Sequence, residues 1–190
     1  AIITGSIAEG TTRISKFLEA EDTLNTISIF RAMGVLIEKK GKKYLVHGRG
    51  AAGLRRPEKM LYAGNSGTGI RLTLGVLAGQ PFSSRITGDM QIVKRPMKRI
   101  MEPLSLMGAA FESNNGYAPI KVRGASLTGI KYRMKIASAQ VKSAILFAGL
   151  FASCKTVITE TEKSRDHTER MLKSFGADIT IKGKIITLVP

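Results

Sequence analysis

Four short polar segments hold the residues of this chain best suited to chemistry: "GNSGT" (64–68), "KRPM" (94–97), "SAQ" (138–140) and "SRDHTE" (164–169). Each stands just ahead of a helix-periodic run, so each is expected at a helix N-terminus. There the free backbone N–H groups and the positive end of the helix dipole favour an anion. Gly64 and Gly67 let backbone approach a ligand closely. Ser138 offers a hydroxyl, Ala139–Gln140–Val141 offer successive amides, and Gln140 adds its side-chain amide. Arg95 directly precedes Pro96, a residue favoured at the first helical position. That sets a guanidinium at a helix mouth, where it can grip a carboxylate or phosphate with two parallel hydrogen bonds.

Each segment taken singly also has a plainer reading. "GNSGT" reads as a turn and N-cap, and no Lys-Ser/Thr follows its last glycine, so it is not a Walker A loop. Asp166-x-x-Glu169 fits a capping box, and Asp22 before "TLNTI" fits a cap. "SAQVKSA" fits a Ser-capped core helix, and Arg71 a cation on a helix surface. His47 belongs to a strand, His167 lies in the third charged segment, and Cys154 ends an apolar helix as an inert core thiol. Two histidines and one cysteine give no His/Cys metal cluster. Recurrence at equivalent places in a basic chain is what favours ligand binding over four unrelated caps.

The elements that would position these segments form an internal repeat. Each copy runs from a small-residue helix to a β-branched strand, through a charged knot to an amphipathic helix, and closes in a strand pair. The first helices are "IITGSIAEG", "GTGIRLTLGVLAG" and "AQVKSAILFAGLFAS"; the strands are "TTRISKF", "SSRITGD" and "KTVITET". The second helices stop at Gly34, Gly108 and Gly176, within "FRAMGV", "LSLMGA" and "LKSFGA". "KKGKK", "NNG" and "KGK" supply the hairpin turns. Leading strands are expected in "EKMLYAG" for the second copy and "IKYRMKIA" for the third. The fold class is therefore α/β: three βαβαββ units with pseudo-threefold symmetry around buried first helices. One domain over 1–190 is expected. Copy one lacks a leading strand and the chain opens without Met, so truncation at the N-terminus is expected.

Composition narrows the partners. With 30 Lys+Arg against 14 Asp+Glu, the net charge of +16 favours anions: nucleic acid, acidic lipid, or phosphorylated and carboxylated small molecules. A single cysteine allows no internal disulfide and points to a reducing, cytoplasmic setting. The longest apolar run, 143–154, falls short of the roughly 18 residues of a membrane span. Aromatic residues make up 6% with no Trp, poor material for stacking bases.

"GNSGTGIRL", "KRPMKRIMEPLSLMGA", "ASAQVKSAILFAGLFA" and "SRDHTERMLKSFGA" together resemble the signature segments of the 5-enolpyruvylshikimate-3-phosphate (EPSP) synthases, in that family's order and spacing. The "SAQ" and "SRDHTE" forms resemble its class II branch. The resemblance implies two similar domains of three βαβαββ units each, with an active site between them. It implies transfer of the enolpyruvyl group of phosphoenolpyruvate to the 5-hydroxyl of shikimate 3-phosphate, with release of phosphate and no cofactor. This step belongs to the shikimate pathway of aromatic amino acid biosynthesis, and the herbicide glyphosate competes for the phosphoenolpyruvate site. Carried over residue by residue, Asn65, Gly67, Thr68, Arg95 and Gln140 would meet phosphoenolpyruvate. Ser138, Ala139, Gln140, Ser164 and Arg165 would hold shikimate 3-phosphate. Gln140 between the substrates and Asp22 near them would be the catalytic candidates. Gly67, where some tolerant enzymes carry Ala, suggests glyphosate sensitivity.

The departures bear on activity. The family's "GSKSxSxR" segment would precede Ala1, and the second domain, with its acid–base groups and further arginines, is not in the sequence. The expectation is an N-terminal, shikimate-phosphate-binding half: a monomer inactive without its C-terminal partner domain, binding neither nucleic acid nor membrane. The related UDP-N-acetylglucosamine enolpyruvyl transferases carry a cysteine before their Arg-Pro, and "GDMQIVKRPM" has none. Two alternatives stay open from sequence. One is a basic nucleic-acid-binding module of βαβαββ repeats; the other is a structural domain whose charge balances an acidic partner.

Overall fold

The computed structural model of the protein describes residues 1–190. The first unit comprises α1 (Ile2–Ile7), β1 (Thr11–Ser15), α2 (Glu21–Ala32), β2 (Leu36–Lys40) and β3 (Lys43–His47). The second comprises β4 (Leu61–Tyr62), α3 (Gly67–Ala78), β5 (Ser83–Thr87), α4 (Lys98–Leu106), β6 (Ala110–Asn114) and β7 (Tyr117–Arg123). The third comprises β8 (Lys131–Arg133), α5 (Ala139–Gly149), β9 (Thr156–Thr159), α6 (His167–Ser174), β10 (Asp178–Lys182) and β11 (Ile185–Val189). Each unit builds its own sheet in the same order: β1-β3-β2, β4-β5-β7-β6 and β8-β9-β11-β10. The leading strands β4 and β8 pair in parallel with β5 and β9, and all other pairs are antiparallel. The expected repeat, its leading strands and its hairpins are all present.

The sheets turn one face inward. Alternate residues Ala118, Ile120 and Val122 of β7 are buried, and Ile120 pairs with Ile86 of β5. This is the period-two pattern that fixes register when only one face meets the core. The first helices lie at the centre: every residue of α1 is buried, and so is most of α3 and α5. Apolar residues around the whole circumference make such helices stable only inside a protein. Side chains buried to the degree of Leu74, Ile145 and Leu146 contribute about 1.5–3 kcal/mol each. Helices α3 and α5 touch backbone to backbone. A methyl on Gly75 would lie 2.3 Å from the Ala144 carbonyl oxygen.

The three second helices end alike. Gly34, Gly108 and Gly176 have φ of 86°, 116° and 91°. The N–H of the next residue reaches five residues back: Val35 to Phe30 (3.1 Å), Ala109 to Leu104 (3.2 Å) and Ala177 to Leu172 (3.0 Å). This is the Schellman stop, and it turns the chain into the next strand.

Several local expectations are corrected. Cys154 is exposed on the connection into β9, because α5 ends at Gly149, five residues before it, and the apolar run outlasts the helix. Pro96 is not the first helical residue; α4 begins at Lys98 with Met97 as its N-cap, and the Met97 N–H is held by the Gly116 carbonyl at 2.8 Å. Ala20, not Asp22, is the N-cap of α2, and Asp22 stands in the first turn, accepting from the Thr23 N–H at 2.9 Å. The Asp166/Glu169 capping box does not form. Glu169 turns inward and shares the buried Lys142 ammonium with Glu160.

Candidate functional site

The mouth of α3 is built by the "GNSGT" loop. Ser66 caps the helix, its Oγ accepting from the Gly69 N–H at 3.0 Å, and Gly67 is the first helical residue. The loop is tied to the segment that carries Arg95. The Asp89 N–H donates to the Gly64 carbonyl at 2.9 Å. The Asp89 carboxylate then accepts from the Gln91 and Ile92 N–H groups at 2.9 and 3.0 Å. The Arg95 N–H in turn donates to the Ile92 carbonyl at 2.9 Å. These turns bring the guanidinium over the helix mouth: a methyl on Gly67 would lie 2.8 Å from Arg95 Nη1 and 3.0 Å from Arg71 Nη1.

The mouth of α5 meets that of α3 through one amide. Arg71 Nη1 donates to Gln140 Oε1 at 2.9 Å, and Gln140 Nε2 donates to Thr68 Oγ1 at 2.9 Å. Both ends of the Gln140 amide are thus committed to α3, which fixes its orientation. Ser138 caps α5, its Oγ accepting from the Val141 N–H at 3.4 Å. Arg71, Pro96, Arg99, Ile100, Ser138, Gln140 and Val141 enclose a cavity of about 110 Å³. Arg71 has its pKa lowered from the usual arginine value, first by loss of solvent and then by the charges of Arg95 and Arg99. None of these three arginines forms an ion pair with a carboxylate. Guanidinium groups that repel one another, with no acid between them, form a site complementary to a small anion.

The third charged segment is held from beneath. Lys142 of α5 pairs with Glu160, at the end of β9, at 3.1 Å and with Glu169 of α6 at 2.5 Å. Glu160 Oε1 also accepts from the Ser164 N–H at 3.1 Å and from its hydroxyl at 2.6 Å. Arg165 and His167 are exposed. His167 lines a separate, mainly apolar cavity of about 230 Å³ with Thr23, Leu72 and Phe147. His47 accompanies Glu38 and Thr11 on a sheet face, as a strand residue.

Residues 1–190 match the family model for EPSP synthase (3-phosphoshikimate 1-carboxyvinyltransferase). The chain belongs to the EPSP synthase family. The 3-phosphoshikimate 1-carboxyvinyltransferase of Bacillus velezensis is 52% identical over 181 residues, 94% of this chain and 42% of that protein. That of Ruthia magnifica is 50% identical over 190 residues, 100% of this chain and 44% of that protein. A solved EPSP synthase from Acinetobacter baumannii superimposes with a TM-score of 0.95 at 50% identity, over 99% of this chain and 43% of that one. The chain therefore spans less than half the length of the relatives it matches. They lend no support to the nucleic-acid-binding alternative.

Of the residues singled out by the EPSP synthase resemblance, Gly67, Thr68, Arg95 and Gln140 stand together at the joined mouths of α3 and α5, and Ser138 lines the cavity beside them. Ala139 opens α5, and Asn65 is exposed on the turn. No hydrogen bond or ion pair joins Asp22 or Arg165 to this cluster. Arg71 and Arg99 are the members that sequence reasoning left out. The signal for Arg71 was spacing: it lies four residues after Gly67 on α3, and on a helix residues four apart share a face; Arg99 lies in the first turn of α4, just after the segment that carries Arg95.

Proposed function

We propose that the chain is the shikimate-phosphate-binding, N-terminal half of a 3-phosphoshikimate 1-carboxyvinyltransferase, with 1–190 a single domain. In the whole enzyme it helps transfer the enolpyruvyl group of phosphoenolpyruvate to the 5-hydroxyl of shikimate 3-phosphate, releasing phosphate. The observation that carries this reading is the trio Arg71, Arg95 and Arg99, free of carboxylates, at two helix mouths linked through Gln140. Phosphoenolpyruvate carries a carboxylate and a phosphate, and guanidinium groups can take either with paired hydrogen bonds. In this reading Arg95, Gly67, Asn65 and Thr68 meet phosphoenolpyruvate. Ser138, Ala139, Ser164 and Arg165 hold the sugar phosphate, and Gln140 lies between the two.

The reaction needs a base for the attacking hydroxyl and an acid for the vinyl carbon. Asp22 is the only carboxylate assigned to that work here, and it stands apart from the arginines. The second set of acid–base groups then belongs to a complementary C-terminal domain, and the chain alone binds without turning over. Glyphosate, itself an anion, competes with phosphoenolpyruvate on the Gly67–Arg95 side. A cytoplasmic monomer without metal or organic cofactor completes the proposal.

Calorimetric titration with shikimate 3-phosphate, with short RNA as control, tests it. The expected result is saturable binding of the sugar phosphate, amide shifts at Ser138, Gln140, Ser164 and Arg165, and no phosphate release from added phosphoenolpyruvate. Salt-sensitive binding of RNA, with none of the sugar phosphate at millimolar levels, overturns it.

A further inference from the structure

Beneath the third charged segment, one ammonium faces two carboxyl groups away from water. The side chains of Lys142, Glu160 and Glu169 are 1%, 5% and 2% exposed. Such a cluster is a poor source of net stability, because desolvating the charges offsets most of their attraction. Its placement indicates another role. Its members come from the three parts that frame the third segment: α5, which carries Ser138 and Gln140 at its mouth, the end of β9, and the first turn of α6. Glu160 Oε1 is the hub. It accepts from Lys142 Nζ at 3.1 Å, from the Ser164 N–H at 3.1 Å and from the Ser164 hydroxyl at 2.6 Å. The segment from Thr161 to Arg165 is otherwise tied to the rest of the protein by the Lys184 ammonium, which donates to the Thr161 carbonyl.

We infer that Lys142, Glu160 and Glu169 are positioning residues: through the Glu160 carboxylate they set the Ser164 backbone at a fixed distance from the mouth of α5. As far as a ligand is concerned, the inference rests on the function proposed above, in which Ser164 and Arg165 reach across to the sugar phosphate held by Ser138. Lys142 lies just over half a helical turn from Gln140 on the same helix. The triad thus links the two halves of that subsite through the protein interior. It also accounts for a lysine inside a helix whose neighbours Ala144, Ile145 and Leu146 are all buried.

Two substitutions of equal charge and similar volume separate positioning from stability. Glu160→Gln keeps a carbonyl oxygen for Ser164, and Glu160→Leu does not. Both leave the Lys142–Glu169 pair intact, and both leave the Ser143–Thr168 hydroxyl contact at 2.7 Å that holds α6 on α5. Glu160→Met takes the place of Glu160→Leu if the branched side chain prevents folding. Amide hydrogen exchange at Ser164 and calorimetric affinity for shikimate 3-phosphate are measured on the 190-residue chain, with a thermal melt for each variant. The Leu variant is expected to exchange the Ser164 amide up to about tenfold faster than the Gln variant, and to bind up to about tenfold more weakly, the loss of roughly one hydrogen bond to a neutral amide oxygen. Equal affinities in the two variants overturn the inference. If the unsubstituted chain does not bind shikimate 3-phosphate, the proposed function fails separately. Equal Ser164 exchange in the two variants is then the result that overturns the positioning role.

Discussion

Adding one methyl at Gly67 should weaken anion binding without harming the fold. The methyl would lie 2.8 Å from Arg95 Nη1 and 3.0 Å from Arg71 Nη1, whereas ordinary contact begins at 3.4 Å. Arg71 is anchored at 2.9 Å to Gln140, so the exposed Arg95 side chain, whose guanidinium makes no hydrogen bond within the protein, does the yielding. Retreating from 2.8 to 3.4 Å moves its guanidinium by about 0.6 Å. An anion bound at about 2.8 Å would then face a donor near 3.4 Å, beyond the useful range of a charge-assisted hydrogen bond. Losing such a bond costs about 1.5–3 kcal/mol, or roughly 10- to 150-fold in affinity. Gly67→Ala is therefore expected to raise the Kd for phosphoenolpyruvate, measured calorimetrically with shikimate 3-phosphate present, by about tenfold or more. The Kd for shikimate 3-phosphate alone should not change, and the melting temperature should hold or rise slightly, since alanine is the better helix former. The double variant Gly67→Ala/Arg95→Ala should bind no worse than Arg95→Ala alone, because both changes act through one side chain. Additive losses, or an equal loss for both ligands, would refute the reasoning.

Gly75→Ala tests the helix contact beneath the site. Its methyl would meet the Ala144 carbonyl oxygen at 2.3 Å and Cα at 2.9 Å, and backbone cannot swing aside as Arg95 can. Urea unfolding should show a loss of about 1–3 kcal/mol with an unchanged m-value; an unchanged midpoint would mean that α3 and α5 do not touch there. Glu112 sets an acid limb of stability. Hydrogen bonds from Lys121 and then Arg123 hold its carboxyl below the usual 4.5. Its contribution is complete above pH 4.5 and is lost as pH falls through the depressed value. Glu112→Gln should flatten that part of the stability–pH curve and change little at neutral pH, because the pair is exposed. An identical acid slope in the variant would show that Glu112 contributes nothing to it.

The architecture was legible because it is written three times. A strand or helix that is ambiguous in one copy is settled by its counterparts, and Gly34, Gly108 and Gly176 mark the same Schellman stop in each. The polar mouths were legible for the same reason: "GNSGT" and "SAQ" occupy equivalent places, and Ser66 and Ser138 cap equivalent helices. What sequence did not yield depends on contacts between elements far apart in the chain and on where a helix stops. Arg71 reads as a surface cation until α5 brings Gln140 to within 2.9 Å of it. Asp166 and Glu169 have capping-box spacing, but a lysine twenty-seven residues before Glu169 claims that carboxylate. Cys154 follows an apolar run, and only the point at which α5 ends leaves it exposed.

Net charge becomes informative once its distribution is known. Several of the cations on the sheets are matched: Lys39 with Glu19, Lys40 and His47 with Glu38, Lys121 and Arg123 with Glu112. Lys135 is matched by Glu102 beside α4, and Lys142 by two glutamates in the interior. Arg71, Arg95 and Arg99 are left without an acid, at the place where the first helices of the second and third units open side by side. Exposed pairs on a sheet contribute little and are screened by salt. Most of the other cations stand unpaired as well, but these three guanidinium groups converge on two linked helix mouths, where an anion relieves their mutual repulsion. Repetition of one unit supplies the mouths, the close approach of α3 and α5 at Gly75 sets them side by side, and the missing acids leave the position to a ligand.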